Sequence, residues 1–432
     1  MPRSLLYALQ ALALALSANA AHAQLRVSSD FESGSARVLA IDDRTQTVRI
    51  TPAGDPKRGM PSWWYLRLDG VDSKRPLTLE VVAQKATLPT SVPGKTQSLA
   101  PYWALPTQAA YSTDGKAWRQ TTPGEVMDGG AVYRVDEVTT TLWLAWGPPF
   151  TATDAATFVE QAGKAHPFAK AFTLGESREG RVVPGLKIAE GDRPAARRPA
   201  VWIIARQHAW EIGGTWVGIG FVEWLLGDDA DAVALRRNAE VFFVPVLDVD
   251  HVATGDGGKH AEPQDHHLDW TETPHWPEVA AAQQHLRDTA DEGRLALFLD
   301  LHNPSPGAKL ETFYVAHPPQ VTEPVAALQE RFLAGARDAF GEIRLLDTKP
   351  TAPEELEIWE RNRQRGCLPW VRAHGNPHTV AFTIETPWNT SRGTSAGYRD
   401  AGEILARVTA RYLRDSEAAG PLGRGLVAPS TD

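Results

Sequence analysis

The sequence predicts two domains, an antiparallel β-sandwich followed by an α/β domain with a mixed sheet. Up to about residue 150, short apolar or alternating runs such as TVRITPA and WWYLRLDG are broken by Gly, Pro, Asp and Ser, as in all-β domains. Beyond about residue 165, apolar strand-like runs alternate with longer helical segments, which is the pattern of an α/β sheet.

The N-terminal segment has the pattern of a signal peptide. Arg3 is followed by an apolar run over residues 5–16 and by Ala21-His22-Ala23, a small-x-small cleavage site. An uncleaved membrane anchor is the alternative, but the run is shorter than the roughly 18–20 residues that span a bilayer. We therefore expect residues 1–23 to be removed and the mature chain, from near Gln24, to be periplasmic or secreted.

Composition narrows the class of partner and the source of stability. The net charge of −9 argues against nucleic acid as a partner, because phosphate binding needs a basic surface. Cys367 is the single cysteine, which excludes an intrachain disulfide, so stability must come from packing. The 15 Trp residues fit either packing or an aromatic-lined cleft, and we favour packing.

The elements of the first domain, residues 24–150, follow from its alternating runs. Strands are expected at ARVLAIDD, TVRITPA, WWYLRLDG, LTLEVVAQ, AVYRVDE and TTLWLAWG, and no catalytic motif is visible among them. A helix over residues 151–165, with Thr153 or Asp154 near its cap, is expected to link the two domains.

The second domain is expected over residues 166–416. Strands are expected at PAVWIIAR, AEVFFVPVLD, LALFLDLH and TVAFTIET. Helices are expected at GGTWVGIGFVEWLLG, PEVAAAQQHLRDTADE, VTEPVAALQERFLAGARDAFG and YRDAGEILARVTARYLRDS. Residues 417–432 have no periodicity, and we expect a disordered tail there.

Three of these strands end in residues that can bind zinc or move a proton. His208 and Glu211 follow one strand, His302 ends another and Glu385 ends a third. In open α/β sheets ligands bind just beyond the strand ends. A catalytic zinc takes three protein ligands from imidazole and carboxylate groups, so two His and one Glu complete its set. On its own, His208 would be interpreted as a hydrogen-bonded histidine near a helix start.

A second His-x-x-Glu has the same spacing in a different context. His275-Trp276-Pro277-Glu278 follows no strand, and its proline suits the first turn of a helix. We therefore expect this motif to be unrelated to the metal site.

The motifs resemble those of the zinc metallocarboxypeptidase family. A His-x-x-Glu after a strand, Val-Pro-x-Leu-x-x-Asp, Asp-Leu-His and a late Thr-x-Glu occur in this order. The stretches DFESGSARV, WWYLRLDG, LWLAWGPPFTATDAATFV and FTLGESREGRVVPGLKI are similar to the front domain and junction of the cytosolic-carboxypeptidase-like branch. The resemblance spans about residues 28–415 and implies a zinc-carboxypeptidase-like α/β fold behind the sandwich.

This resemblance implies roles for four residues. His208, Glu211 and His302 would bind one Zn2+ per chain. Glu385 would act as general base and then as general acid, taking a proton from water and giving it to the leaving amine.

The chain departs from the family where the oxyanion should be stabilised. Asp248-Val249-Asp250-His251 stands where Asn-Pro-Asp-Gly is expected, and Gly258 falls near the position of an Arg that polarises the scissile carbonyl. Lys259 is predicted to replace that charge, and His260 is the weaker candidate. An ordinary solvated loop lysine is the alternative for Lys259.

A second departure concerns the substrate's C-terminal carboxylate. His267 and Leu268 stand where the family has Asn and Arg, and a leucine cannot bind a carboxylate. His267 is predicted to contact substrate. Arg365, or else Arg361 or Arg363, is the candidate for a replacement cation, although a solvated helix face is the usual place for such arginines.

Further polar residues near these motifs have two interpretations each. Asn303 is predicted to line the cleft and contact substrate. The adjacent His266 and His267 could form a second metal site, but cleft lining or hydrogen bonding is favoured. Asp300 could orient a ligand imidazole or point away from the metal.

The sequence therefore predicts a periplasmic zinc peptidase that hydrolyses an amide bond in a peptide or peptide-like substrate. One alternative is a zinc amidase or deacylase that needs no free C-terminal carboxylate. The other is a binding protein that keeps the zinc fold without catalysis. The retained ligands and Glu385 favour an enzyme, whereas the altered oxyanion and carboxylate stretches favour the alternatives.

Overall fold

The computed structural model describes residues 24–89, 95–307, 313–316, 321–345, 365–388 and 390–418. The predicted signal peptide, the segment from residue 419 onward, Arg361 and Arg363 lie outside this part of the chain. Within it, no helix combines the length and the apolar character that crossing a membrane requires.

The first domain is a β-sandwich. Its strands are β1 (Arg26–Ser28), β2 (Arg37–Asp42), β3 (Thr47–Thr51), β4 (Tyr65–Asp69), β5 (Leu77–Val82), β6 (Thr87–Pro89), β7 (Thr96–Ser98), β8 (Ala110–Ser112), β9 (Arg119–Gln120), β10 (Glu125–Met127), β11 (Gly130–Val135) and β12 (Thr141–Ala145). One five-stranded sheet has the order β1-β4-β12-β8-β9, the other has the order β10-β11-β5-β3-β2, and β6 pairs with β7. Among the described pairs of this domain only β3 and β5 run parallel, so the predicted antiparallel sandwich is confirmed with one exception.

Alternating side chains explain how the two sheets meet. In β5, which reads Leu-Thr-Leu-Glu-Val-Val, Leu77, Leu79 and Val81 are buried and the residues between them are half-buried. Leu66 and Leu68 of the other sheet belong to the same hydrophobic cluster. Because successive strand residues point to opposite faces, this alternation brings the two apolar faces together.

The domains are linked by a helix, α1 (Ala152–Ala165), which is capped by a different residue from the one expected. Thr151 is the N-cap, and its hydroxyl accepts a hydrogen bond from the Asp154 backbone N–H at 3.0 Å. The Asp154 carboxylate accepts from the Thr151 N–H at 2.8 Å, which completes a capping box. Of the two residues expected near the cap, Asp154 takes part in it from the third helical position, and the N-cap itself is Thr151.

The second domain is α/β with a mixed sheet, as predicted. Its strands are β13 (Ala169–Glu176), β14 (Val182–Ile188), β15 (Ala200–Ala205), β16 (Glu240–Val244), β17 (Leu295–His302), β18 (Tyr314–Ala316), β19 (Arg344–Leu345) and β20 (Val380–Glu385). Its helices are α2 (Ile212–Leu226), α3 (Ala230–Asn238), α4 (Val249–Thr254), α5 (Pro277–Asp291), α6 (Glu323–Phe340), α7 (Cys367–His374) and α8 (Ser395–Ala418). The sheet order is β13-β14-β16-β15-β17-β20-β18-β19. The parallel centre β16-β15-β17-β20 has antiparallel neighbours, β14 on one side and β18 on the other.

Burial accounts for the composition of these elements. Every residue of β15 and β17 is buried, which explains their continuous apolar runs. Helix α2 is apolar on nearly all sides because it lies between the sheet and α8. The strand predictions omitted β13 and β14, since their exposed and buried positions alternate only weakly. Helix α8 continues to Ala418, two residues into the predicted tail.

Candidate metal centre

The three strand ends singled out in the sequence lie at one edge of the sheet. Strand β17 pairs in parallel with β15 on one side and with β20 on the other. Because the carboxyl ends of parallel strands share an edge, the residues that follow them meet there. His302 lies directly opposite Glu385 in the strand register, and the loop after β15 carries His208 and Glu211 to the same edge.

His208, Glu211 and His302 converge on one point. The Nδ1 atom of His208 lies 2.8 Å from Glu211 Oε1, and His302 Nδ1 lies 2.6 Å from Glu211 Oε2. One ligand atom from each residue lies within 4.8 Å of the others, and all three residues are buried. His275 and Glu278 of the second His-x-x-Glu belong to none of the metal-ligand groups in the described residues.

A carboxylate lies on the outer side of each imidazole ring. His302 Nε2 lies 2.9 Å from Asp300 Oδ1, which also accepts a hydrogen bond from Gln207 Nε2 at 2.8 Å. His208 Nε2 faces Asp265 Oδ1 at 3.7 Å. Of the two orientations considered for Asp300, the structure has the one facing the imidazole, the usual companion of a metal-binding histidine.

The donor set and its charge fit zinc. Two imidazole nitrogens and one carboxylate that face a single point are the ligand set of an open catalytic zinc site. Burial acts to raise the pKa of Glu211, but the surrounding charges, led by His208, hold it well below its ordinary value. A fully ionised carboxylate is therefore available to a cation at this point.

Glu385 lies beside this group without belonging to it. It ends β20 opposite His302, and it is absent from the three-residue ligand set among the described residues. Burial raises the pKa of Glu385 above its ordinary value, and the charge of Glu211 adds to this effect. A carboxylate next to the ligands but outside their set can exchange protons with a molecule bound there.

Lys259 reaches the same point from the opposite loop. Its Nζ lies 3.3 Å from Glu211 Oε1 and 3.4 Å from His208 Nδ1, and 27% of its side chain is exposed. Burial opposes its charge, yet Glu211 and Glu385 together raise the pKa of Lys259 above its ordinary value. The lysine is therefore a charged group in contact with the predicted ligands, not a solvated loop residue. His260 is less suited, because burial lowers its pKa to about 4 and leaves it neutral.

The β-sandwich holds the loop that carries Lys259. The Gly258 N–H donates to the Arg58 carbonyl at 3.0 Å, and the Met60 N–H donates to the Lys259 carbonyl at 2.8 Å. Arg58 also pairs with Asp256 at 2.6 Å. Backbone hydrogen bonds on both sides of Lys259 thus determine where its ammonium group reaches.

Tryptophans pack the sandwich against the ligand loop as well. Trp210, inside the His-x-x-Glu motif, makes edge-to-face contacts with Trp103 and Trp146, each at 5.5 Å between centroids. Its ring also lies 5.3 Å from that of Trp388. These four indoles are used for packing, as expected, and they tie the loop between two predicted ligands to the first domain.

Gly258 explains why this chain has no arginine at the expected position. Its φ is 72°, in the left-handed region that glycine favours. A Cβ atom there would lie 2.5 Å from Asp248 Oδ2 and 2.7 Å from the Ala209 backbone nitrogen. No side chain fits without moving the backbone, so the positive charge has to come from a neighbouring residue.

This geometry makes a testable prediction about stability. Gly258→Ala is expected to destabilise the protein by about 1–2 kcal/mol for the left-handed backbone and by about 1–3 kcal/mol more for the steric clash. Gly180→Ala is the matched control, since Gly180 has a φ of 78° and nothing lies within 4 Å of its Cβ position. The difference in unfolding midpoint between the two variants isolates the clash. Equal losses would show that the space beside Gly258 accommodates a side chain.

The predicted substrate contacts lie next to the ligands or behind them. The ring of His267 lies 4.8 Å from that of His302 and 5.5 Å from that of His208, and 27% of its side chain is exposed. Burial lowers the pKa of His267, so the ring facing the cleft is neutral. Arg365 Nη2 donates to Gln264 Oε1 at 2.5 Å, and Gln264 is on the same loop as His267.

Asn303 has a different place from the one expected. It is 1% exposed, its Oδ1 accepts from the Gly214 N–H at 3.0 Å, and its Nδ2 donates to the Thr386 carbonyl. Its backbone N–H donates to Glu211 Oε2 at 3.2 Å. Because both ends of the amide are already hydrogen-bonded inside the fold, Asn303 orients Glu211 and does not line the cleft for substrate.

Sequence reasoning missed Gln207, Asp265 and Cys367. Gln207 and Cys367 both donate to Asp300, the latter at 3.0 Å from Sγ to Oδ2. Asp265 faces His208 and accepts from the Leu268 N–H at 3.0 Å. Only Gln207, directly beside a predicted ligand at a strand end, carried a signal in the sequence. The other two are distant from the ligands along the chain.

Two family models match the chain, one to each domain. A model described as zinc carboxypeptidase matches residues 156–273, and a model of the cytosolic carboxypeptidase N-terminal domain matches residues 27–146. Together they cover more than half of the chain. The zinc carboxypeptidase segment contains His208, Glu211 and Lys259.

Individual relatives match parts of the chain. An uncharacterised protein of Zymomonas mobilis is 25% identical over 283 residues, 64% of this chain and 67% of its own length. Cytosolic carboxypeptidase 3 of Bos taurus is 29% identical over 111 residues, 25% of this chain, but the match spans only 11% of the bovine protein.

Solved structures show the same fold over nearly the whole chain. A metallo-carboxypeptidase from Burkholderia cenocepacia has a TM-score of 0.73 at 19% identity, covering 91% of this chain and 100% of its own. A metallo-carboxypeptidase from Pseudomonas aeruginosa, in complex with (2-guanidinoethylmercapto)succinic acid, has a TM-score of 0.72 at 21% identity, covering 90% and 99%. The chain therefore contains a zinc carboxypeptidase domain, of a family whose members use Zn2+, preceded by a cytosolic carboxypeptidase N-terminal domain.

Proposed function

We propose that this protein is a zinc-dependent peptidase that hydrolyses an amide bond in a peptide outside the cytoplasm. The observation that carries the proposal is the convergence of His208, Glu211 and His302 within 4.8 Å, with Glu385 at the adjoining strand end. These three residues would hold the zinc. Zinc bound there would polarise the scissile carbonyl and make water acidic enough to be deprotonated near neutral pH.

Glu385 is proposed to move the proton in both steps. Its carboxylate takes a proton from the attacking water and then gives it to the nitrogen of the leaving amine. The raised pKa of Glu385 makes it a better proton acceptor than a solvent-exposed glutamate. Asn303 and Asp300 hold Glu211 and His302 still while this happens.

Lys259 is proposed to stabilise the negative charge on the carbonyl oxygen. Replacing it by methionine is expected to lower kcat by about 10²–10³, the usual effect of removing one oxyanion donor. Zinc content should stay unchanged, because Lys259 is not in the ligand set. Lys57→Met is the matched control, since Lys57 is an exposed lysine on the sandwich loop beside Lys259. A normal kcat in Lys259→Met would exclude this role.

The identity of the scissile bond depends on how the substrate's end is held. At the family's carboxylate-binding positions this chain has a neutral His267 and Leu268, so a cation is missing there. Lys259 belongs to this loop, and Arg365 contacts it through Gln264. We propose that one of them receives a free C-terminal carboxylate if the enzyme is a carboxypeptidase.

Leu268 supports a second candidate, a zinc amidase or deacylase that recognises no free carboxylate. Incubating the purified enzyme with peptide pairs that carry free or amidated C-termini, and identifying products by mass spectrometry, separates the two. Cleavage of the free-ended peptides alone supports a carboxypeptidase, and equal cleavage of both supports the second candidate. Stoichiometric zinc without turnover of either set would leave a peptide-binding protein.

We also propose that the protein acts in the periplasm or as a secreted protein. The N-terminal apolar run and the Ala21-His22-Ala23 site support this location. Mass spectrometry of protein recovered from the periplasm is expected to show a chain starting at Gln24. An intact N-terminus on cytoplasmic protein would contradict the proposal.

A further inference from the structure

A second group of metal-ligand residues lies beneath the loop that carries Lys259. Asp248, His251 and His266 bring one carboxylate and two imidazoles together, with ligand atoms within 4.8 Å of one another. The three side chains are at most 2% exposed. Asp248 caps α4, His251 lies within α4, and His266 begins a short turn of 3-10 helix. The donor set is that of the first centre, built from different residues.

The spacing in this group fits a shared ion. Asp248 Oδ2 lies 2.8 Å from His251 Nδ1 and 3.4 Å from His266 Nδ1. Atoms that are each about 2 Å from one zinc ion are roughly 3.3 Å apart in a tetrahedral site. At the first centre the corresponding distances between carboxylate and imidazole are 2.8 and 2.6 Å.

His266 is oriented like a metal-binding histidine. Its Nε2 lies 2.8 Å from Glu278 Oε1, while its buried Nδ1, which faces Asp248, has no hydrogen-bond partner in the part of the chain that the structure describes. Buried polar nitrogens are nearly always satisfied. A ring with one nitrogen on a carboxylate and the other turned inward is the usual arrangement at a metal, and His302 with Asp300 shows it at the first centre.

The buried negative charges around His266 also favour a bound cation. Asp248 and Glu278 are both 0% exposed, and their ion-pair contacts in the described residues are imidazoles. Buried carboxylates are costly unless a positive partner offsets them. A divalent cation between Asp248 and the two Nδ1 atoms would supply that charge and would also satisfy His266 Nδ1.

We propose that Asp248, His251 and His266 bind a second divalent cation, zinc by its donor set, with Glu278 holding His266 in place. The ion would tie α4 to the turn at His266 and, through Glu278, to α5. Its role is structural: it fastens both ends of the segment that carries Lys259. The proposal does not depend on the proposed hydrolysis, because none of these residues has a role in it.

Metal content of the purified full-length mature chain tests the proposal. After dialysis against excess zinc and desalting, we expect two equivalents of zinc per chain, measured by inductively coupled plasma mass spectrometry. His251→Gln and His208→Gln should each retain one equivalent, lost from different sites. Cys367→Ser tests the third candidate group, Cys367 with His267 and Asp300, and should leave two equivalents because a serine hydroxyl can still donate to Asp300.

Two results would overturn this proposal. One is a single equivalent of zinc in the unmodified protein, with the same amount in His251→Gln. That result would mean that His266 is protonated and that its charge, not a metal ion, offsets Asp248 and Glu278. The other is loss of the second equivalent in Cys367→Ser. If His251→Gln does not fold, anomalous diffraction at the zinc edge on the unmodified protein decides the question. A second peak within bonding distance of all three ligands supports the site, and its absence excludes it.

Discussion

Replacing Glu385 by glutamine is expected to lower kcat/KM for peptide hydrolysis by about 10²–10⁴, the usual contribution of a general acid–base group. The amide keeps the size and shape of the side chain but cannot accept a proton from water. Zinc content and unfolding temperature should be unchanged, since Glu385 lies outside the ligand set. Steady-state kinetics together with a metal assay on the same preparation measure both.

A control separates the chemistry of Glu385 from the loss of one negative charge near the cleft. Glu262→Gln removes a carboxylate from the exposed part of the Lys259 loop and should leave kcat/KM within about a factor of two, because surface charges contribute little. Normal hydrolysis in Glu385→Gln would exclude it as the base. Loss of zinc in that variant would instead show that Glu385 is a ligand.

Replacing His302 by glutamine is expected to remove one equivalent of zinc and to abolish hydrolysis. His302 supplies one of the three ligand atoms, and its Nδ1 also contacts Glu211 Oε2 at 2.6 Å. Loss of an outer partner alone typically weakens metal binding by about 10–100-fold, so loss of a ligand should weaken it by more. Zinc titration with a competing chelator measures the change in affinity.

The second His-x-x-Glu provides the matched control for this substitution. His275→Gln makes the same chemical change at a histidine that belongs to none of the described metal-ligand groups. It is expected to keep both the zinc affinity and the hydrolytic rate of the unmodified protein. Equal losses of zinc from His275→Gln and His302→Gln would contradict the assignment of the first centre.

The β-sandwich contacts the loops that form the candidate metal centre. Its backbone is hydrogen-bonded to Gly258 and Lys259, in the loop that carries the predicted oxyanion partner. Its tryptophans pack against Trp210, in the loop that carries two predicted ligands. Removing the sandwich would release both loops at once. We infer that the two domains form one catalytic unit, in which the sandwich keeps Lys259 next to Glu211.

The architecture could be predicted from the sequence because it depends on local periodicity, and the candidate ligands could be predicted because they follow strand ends. Alternating and continuous apolar runs predict the sandwich and the α/β sheet, since a strand or helix must bury one face. Parallel strands share one edge, so polar residues at their ends were expected to meet. The sequence alone therefore predicted that four residues lie close together, namely His208, Glu211, His302 and Glu385.

Tertiary structure decided what depends on contacts between segments far apart in the chain. Asn303 follows a ligand and was expected in the cleft, but its amide is hydrogen-bonded to a helix and to Thr386, the residue after β20. Gly258 excludes a side chain only because Asp248 and Ala209 lie against it. The grouping of Asp248 with His266 likewise arises from folding. The spacing of residues along the chain does not tell which side chains from distant segments come into contact. Those contacts are decided by how the segments pack in the folded protein.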